Sequence, residues 1–89
     1  MVFERTVIIQ NKLGIHVRPA AQIAELANKY NADVIFVRDN ILANAKSIIE
    51  LLTLGAVGGS ILTIKAEGVD AEQSVVALQQ LIETKFGEE

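Results

Sequence analysis

The one histidine of this chain, His16, stands in the stretch Asn11-Lys12-Leu13-Gly14-Ile15-His16-Val17-Arg18-Pro19-Ala20-Ala21, immediately ahead of a helical pattern. A helix N-terminus carries unpaired backbone N–H groups and the positive end of the peptide dipole, so an anion on or beside that ring is stabilised there. Imidazole as a class can be neutral near physiological pH and then offers a nitrogen nucleophile. Gly14 permits close approach of backbone to a ligand, the amides of His16 and Val17 are candidate donors to phosphate oxygens, and the planar donor fork of Arg18 matches phosphoryl oxygens. These types at this spacing suit a phosphate carried on histidine. The competing reading makes His16 a surface N-cap, Arg18 a solvated cation and Pro19 a helix starter. No carboxylate or serine adjoins His16 in the sequence, so a triad would need partners brought by folding.

The elements that must hold this histidine follow from hydrophobic periodicity. Phe3 to Ile9 reads as a strand in which Phe3, Val7 and Ile9 share a face with Arg5, although Ile8 breaks the alternation. Ala20, Ile23, Ala24, Ala27 and Tyr30 recur at helical spacing, which predicts a helix from about Val17 to Asn28 with Pro19 in its first turn. Two short strands, Asp33 to Val37 and Ile41 to Ala45, flank a tight turn at Asp39-Asn40. Ser47 with Glu50 matches a capping box, opening a helix of about two turns that ends at Gly55. Ile61 to Glu67 alternates as a half-buried strand, ended by Gly68. Asp70 is then placed to cap a last helix whose Val75, Leu78 and Ile82 form one side, assisted by Ala71, Leu81 and the alkyl stem of Lys85. Four such strands bury one face most economically as a single sheet with the helices on that side and a polar face opposite.

Composition narrows the function. The 89 residues, 51% of them hydrophobic, suit one small domain spanning 1–89. No apolar run spans a bilayer and the start lacks a signal-peptide pattern, so the expectation is a cytoplasmic protein without membrane insertion. The absence of cysteine excludes disulfides and thiolate sites, and a lone histidine argues against a zinc cluster, so neither metal nor cofactor is expected. A net charge of −3 without a basic run, and only four aromatic residues (three Phe, one Tyr), argue against nucleic acid.

The stretch around His16 resembles the phosphorylation-site motif of HPr, the histidine-containing phosphocarrier family of the bacterial phosphoenolpyruvate-dependent phosphotransferase system. The likeness continues through Ala45 to Gly55 and Gly59 to Gly68, in family order and spacing and with no evident insertion. It implies an α+β open-faced two-layer sandwich of βαββαβα order, with a four-stranded antiparallel sheet of strand order 1-4-2-3 and three helices on one face. It further implies phosphorylation of His16 at Nδ1 (the pros nitrogen) by enzyme I, transfer to an enzyme II A domain, and Arg18 as a phosphate-stabilising residue. An exposed histidine on so small a domain offers no closed cleft for phosphoenolpyruvate, so the protein reads as a carrier, not a self-sufficient catalyst.

Ser47 matches the serine that HPr kinase/phosphorylase modifies in many relatives. Glu50 departs from the uncharged residue common there and would repel a phosphoserine, which tilts the reading toward a system without that kinase. Ile48, Ile49, Leu51, Leu52 and Leu54 give the short helix more apolar surface than one buried stripe requires. Part of it is expected to be exposed as a docking patch, with Ile48 and Leu52 as the chosen contacts on an otherwise monomeric protein. Two alternatives stand beside the sugar-uptake carrier: a nitrogen-related regulatory carrier using the same histidine, and a noncatalytic module that senses a small ligand.

Overall fold

The structure, a computed structural model, describes residues 1–88. The chain runs β1 (Val2–Ile8), α1 (Val17–Ala27), β2 (Asp33–Arg38), β3 (Ile41–Asn44), α2 (Ile48–Thr53), β4 (Ile61–Glu67) and α3 (Ala71–Glu83). The strands form one antiparallel sheet in the order β1-β4-β2-β3, and the three helices cover one face of it. This is the open-faced sandwich the sequence predicts.

Alternation sets the register. In the β1–β4 pairing Val7 lies opposite Leu62 and Arg5 opposite Ile64, and Val7, Leu62 and Ile64 are buried under the helices. Arg5 shares that face at the edge of the sheet, where its guanidinium lies over the Phe3 ring, 4.9 Å from the centroid. A cation on an apolar face is thereby satisfied by an aromatic neighbour. Phe36 and Val34 of β2 meet Ile23 of α1 and Leu78 and Ile82 of α3 in the core, with Leu51 and Leu54 closing it beside α2. Each of these large side chains contributes about 1.5–3 kcal/mol by leaving water.

Several local expectations are corrected. The open face is not simply polar: Ile8 pairs with Ile61 and Val37 with Leu42 there, and Ile8, Ile61 and Leu42 are exposed. Such cross-strand pairs stabilise the sheet even where one side faces water, and scattered apolar residues are ordinary on protein surfaces. Helix α1 ends at Ala27, one residue early, with Asn28 as its C-cap. Asp70 stands at the N-cap of α3 without capping it. Its carboxylate instead accepts from the Asn31 N–H (2.9 Å) and the Ala32 N–H (2.8 Å) in the loop between α1 and β2, amides that no strand partner serves. The Asn31 amide, assisted by that of Ala32, holds the Asp70 carboxyl below the usual aspartate range. Lys85 is exposed and does not cover the core. Phe86, next along, turns inward and is buried.

Candidate functional site

The loop before α1 is tied to the segment before β4. Ile9 N–H donates to Ser60 O (2.9 Å), Gly59 N–H to Ile9 O (2.8 Å) and Ile15 N–H to Ala56 O (2.9 Å). Gly14, at φ 72°, lies so close to Ala56 and Val57 that no Cβ would fit. Within the loop, Asn11 is fully buried and its side-chain Nδ2 donates to Gly14 O at 2.8 Å. These contacts fix the entry into α1, so the first turn of the helix starts from a defined point.

His16 is the N-cap residue of α1, with extended backbone and no side-chain bond to its own helix. Its side chain is 38% exposed, so part of the ring faces solvent. The ring is held from one side: Nε2 lies 3.0 Å from Oε1 and 3.2 Å from Oε2 of Glu88. Asn11 Nδ2 donates to the same Glu88 Oε1 at 2.8 Å. The His16 contact, followed by that of Asn11, holds the Glu88 carboxyl below the usual glutamate range, with the charge of Arg18 a smaller contribution. An ionised carboxylate offers only acceptors, so Nε2 carries a hydrogen in this contact. In the neutral ring the lone pair is then on Nδ1.

The backbone donors differ in one respect from the expectation that His16 and Val17 supply them. The His16 N–H is engaged with Gly14 O at 3.2 Å, because Gly14 folds its carbonyl back toward the helix entry. Among the described residues, the N–H groups of Val17 and Arg18 have no partner, and Pro19 has no N–H to offer. The Arg18 amide is a second unpartnered N–H that the sequence did not single out, although its place in the first turn signals it. The Arg18 side chain is exposed and forms no ion pair among the described residues. A half-exposed imidazole, two unpartnered amides and a guanidinium on one helix turn are groups able to accept and hold a phosphoryl group.

The family model for the HPr component phosphorylation site of the phosphotransferase system matches residues 3–84. The chain belongs to the HPr phosphocarrier family. It is 39% identical over 85 residues to the phosphocarrier HPr of Treponema pallidum, covering 96% of this chain and 97% of that one. It is 38% identical to the phosphocarrier NPr of Shewanella violacea, covering 96% and 93%. The crystal structure of HPr from Thermoanaerobacter tengcongensis superposes with a TM-score of 0.93 at 44% identity, covering 98% of both chains. The HPr family accounts for the collinear motifs and for the strand order.

Ser47, the serine that likeness to HPr singles out, is the N-cap of α2, and its Oγ accepts from Glu50 N–H at 3.2 Å. The capping box is only half formed. Glu50 Oε1 accepts from Asn44 N–H (2.9 Å), not from Ser47 N–H, which already donates to Asn44 O (3.0 Å) in the turn that leaves β3. Loss of the hydroxyl in Ser47→Ala is expected to destabilise the protein by about 1 kcal/mol, read as a lower midpoint in urea with an unchanged slope. Leu51 of α2 and its C-cap Leu54 turn inward, while Ile48 and Leu52 are exposed. Ile49, at 78% exposure, is more open than either and was not singled out in the sequence. Val17 at the mouth of α1 is exposed as well, and α1 packs against α2.

Proposed function

We propose that this protein carries phosphoryl groups in the phosphoenolpyruvate-dependent phosphotransferase system, taking the group on His16 Nδ1 from phospho-enzyme I and passing it to an enzyme II A domain. The observation that carries the reading is the half-exposed His16 ring at the mouth of α1, beside the unpartnered amides of Val17 and Arg18. In phosphoryl transfer the protein contributes chiefly position and charge. The two amides and the Arg18 guanidinium take phosphoryl oxygens, and the positive end of α1 offsets their charge. The partner supplies the rest of the site. Ile48, Ile49 and Leu52, with Val17, form the apolar surface on which it docks, and the encounter is brief because the carrier must leave to meet its acceptor. The protein works as a monomer in the cytoplasm, where its donor and acceptors meet.

The test is incorporation of label from phosphoenolpyruvate in the presence of enzyme I, followed by transfer to purified acceptors. Acid-labile, alkali-stable label that moves on to an enzyme II A domain supports the carrier; no incorporation refutes it. Likeness to both an HPr and an NPr keeps the nitrogen-related regulatory carrier as a second reading, which predicts faster labelling by the enzyme I of that branch. Ser47 is a candidate for a serine kinase, opposed by the charge of Glu50 one turn away. Arg18→Ala is expected to slow transfer by about ten- to a hundredfold, the worth of one charge-assisted hydrogen bond to phosphate. Its melting curve should overlay that of the parent, because the side chain makes no ion pair or hydrogen bond among the described residues.

A further inference from the structure

The turn after α3 brings a carboxylate onto the functional ring from 72 residues away. Lys85, Phe86 and Gly87 have successive φ values of 59°, 57° and 75°. Two of these three are not glycine, and left-handed backbone is unfavourable for a residue with a Cβ, so something must hold the turn in place. Phe86 does so from below: it is only 2% exposed and belongs to the same core cluster as Leu78 and Ile82. Asn11 does so from the side. Its Nδ2 bridges Gly14 O and Glu88 Oε1, while its Oδ1 is buried with no partner. Reversing the amide would set Oδ1 against two acceptors, so the orientation is fixed despite the unpaired oxygen. The loop that sets the start of α1 and the turn that carries Glu88 are therefore clamped by one side chain.

We propose that Glu88 is a positioning residue for phosphoryl transfer: seated by Asn11 and the Phe86 anchor, its carboxylate keeps the His16 proton on Nε2 and presents Nδ1 as the nucleophile. The inference rests on His16 being the phosphoryl acceptor. In the step, the Nδ1 lone pair forms the new N–P bond as the donor histidine's N–P bond breaks, and that bond's electron pair returns to the donor ring. The Nε2 proton stays on His16. The positive charge that the ring acquires lies against the Glu88 carboxylate, which is oriented before the reaction begins. Transfer to the next acceptor runs the same exchange in reverse, with the proton again left on Nε2.

Glu88→Ala and Glu88→Gln separate this role from a merely structural one. In the parent at neutral pH, ¹⁵N spectra of the imidazole should show a hydrogen-bonded Hε2 on His16. Glu88→Ala should lose that signal to solvent exchange and accept phosphate from phospho-enzyme I with kcat lowered about tenfold or more, the scale on which removal of a histidine-orienting carboxylate acts. KM should be little changed, because the Glu88 carboxylate bonds to His16 and Asn11 and Glu88 is not one of the apolar residues on which the partner is proposed to dock. Glu88→Gln, which keeps an acceptor oxygen without its charge, should retain Hε2 and fall between the two in kcat. Label should remain on His16 in every variant. A labelled parent together with an Ala variant of unchanged kcat, or of unchanged Hε2 signal, overturns the role of Glu88 and leaves the carrier intact. An unlabelled parent overturns both.

Discussion

His16→Ala is expected to take up no label from phosphoenolpyruvate and enzyme I, a fall to background and not a partial loss. The chain has no second histidine to substitute for it. The candidate hydroxyl nearest in kind, Ser47, is engaged as the acceptor of the Glu50 amide and lies on a different helix. The fold should survive the substitution. Among the described residues the imidazole bonds only to Glu88, and the bonds that set the loop come from the backbone and Asn11. The variant should therefore melt cooperatively and keep its far-ultraviolet spectrum while failing to accept phosphate. Labelling equal to that of the parent, stable to alkali and labile to acid, would require a different nucleophile.

Gly14→Ala should damage stability and transfer together. At φ 72° any residue with a Cβ loses about 1–2 kcal/mol in backbone conformation alone. The added methyl group would also meet Ala56 O inside van der Waals contact and lie 2.6 Å from Val57 Cα, both of them backbone atoms that cannot swing aside. Relief requires the loop to draw away from Ala56, which breaks the Ile15 N–H to Ala56 O bond and with it about 1 kcal/mol. The sum is about 2–3 kcal/mol, or a fall of roughly 8–24 °C in Tm for a chain of this size. Transfer should slow as well, because the same loop carries His16 and Asn11. A thermal melt within a few degrees of the parent would show that the close approach of Gly14 to Ala56 is not needed.

The sheet was legible because its signals are local. Leu62, Ile64 and Ala66 alternate with polar residues, and all three are buried. Ile8 broke the pattern in the sequence because the outer face of the sheet accepts an isoleucine pair with Ile61, a contact visible only once the register is known. His16, Arg18 and Pro19 could be placed at the start of a helix from spacing alone. Ser47 and Glu50 were read as reciprocal, but the outcome depended on competition: Asn44 O had already taken the Ser47 amide, and Asn44 N–H drew the Glu50 carboxylate. Asp70 shows the same rule, since two loop amides outbid the helix for its oxygens.

Glu88 was out of reach for a further reason. Its approach to His16 depends on left-handed conformations at Lys85 and Phe86, residue types that do not advertise them, and on a phenylalanine that continues the core past the end of the helical repeat. Phe86 was the available hint, an aromatic residue just beyond α3 with no partner in the helical stripe. The buried Asn11 was another, a polar residue that had to find partners once folded.

The central claim is that phosphate arrives on one nitrogen of one residue. After uniform ¹⁵N labelling and phosphorylation by enzyme I and phosphoenolpyruvate, one-bond ³¹P–¹⁵N coupling identifies the bonded atom directly. Coupling to His16 Nδ1, with a proton retained on Nε2, is the predicted result. Phosphorus bonded to Nε2, or found on an oxygen of Ser47 or any other side chain, would contradict it.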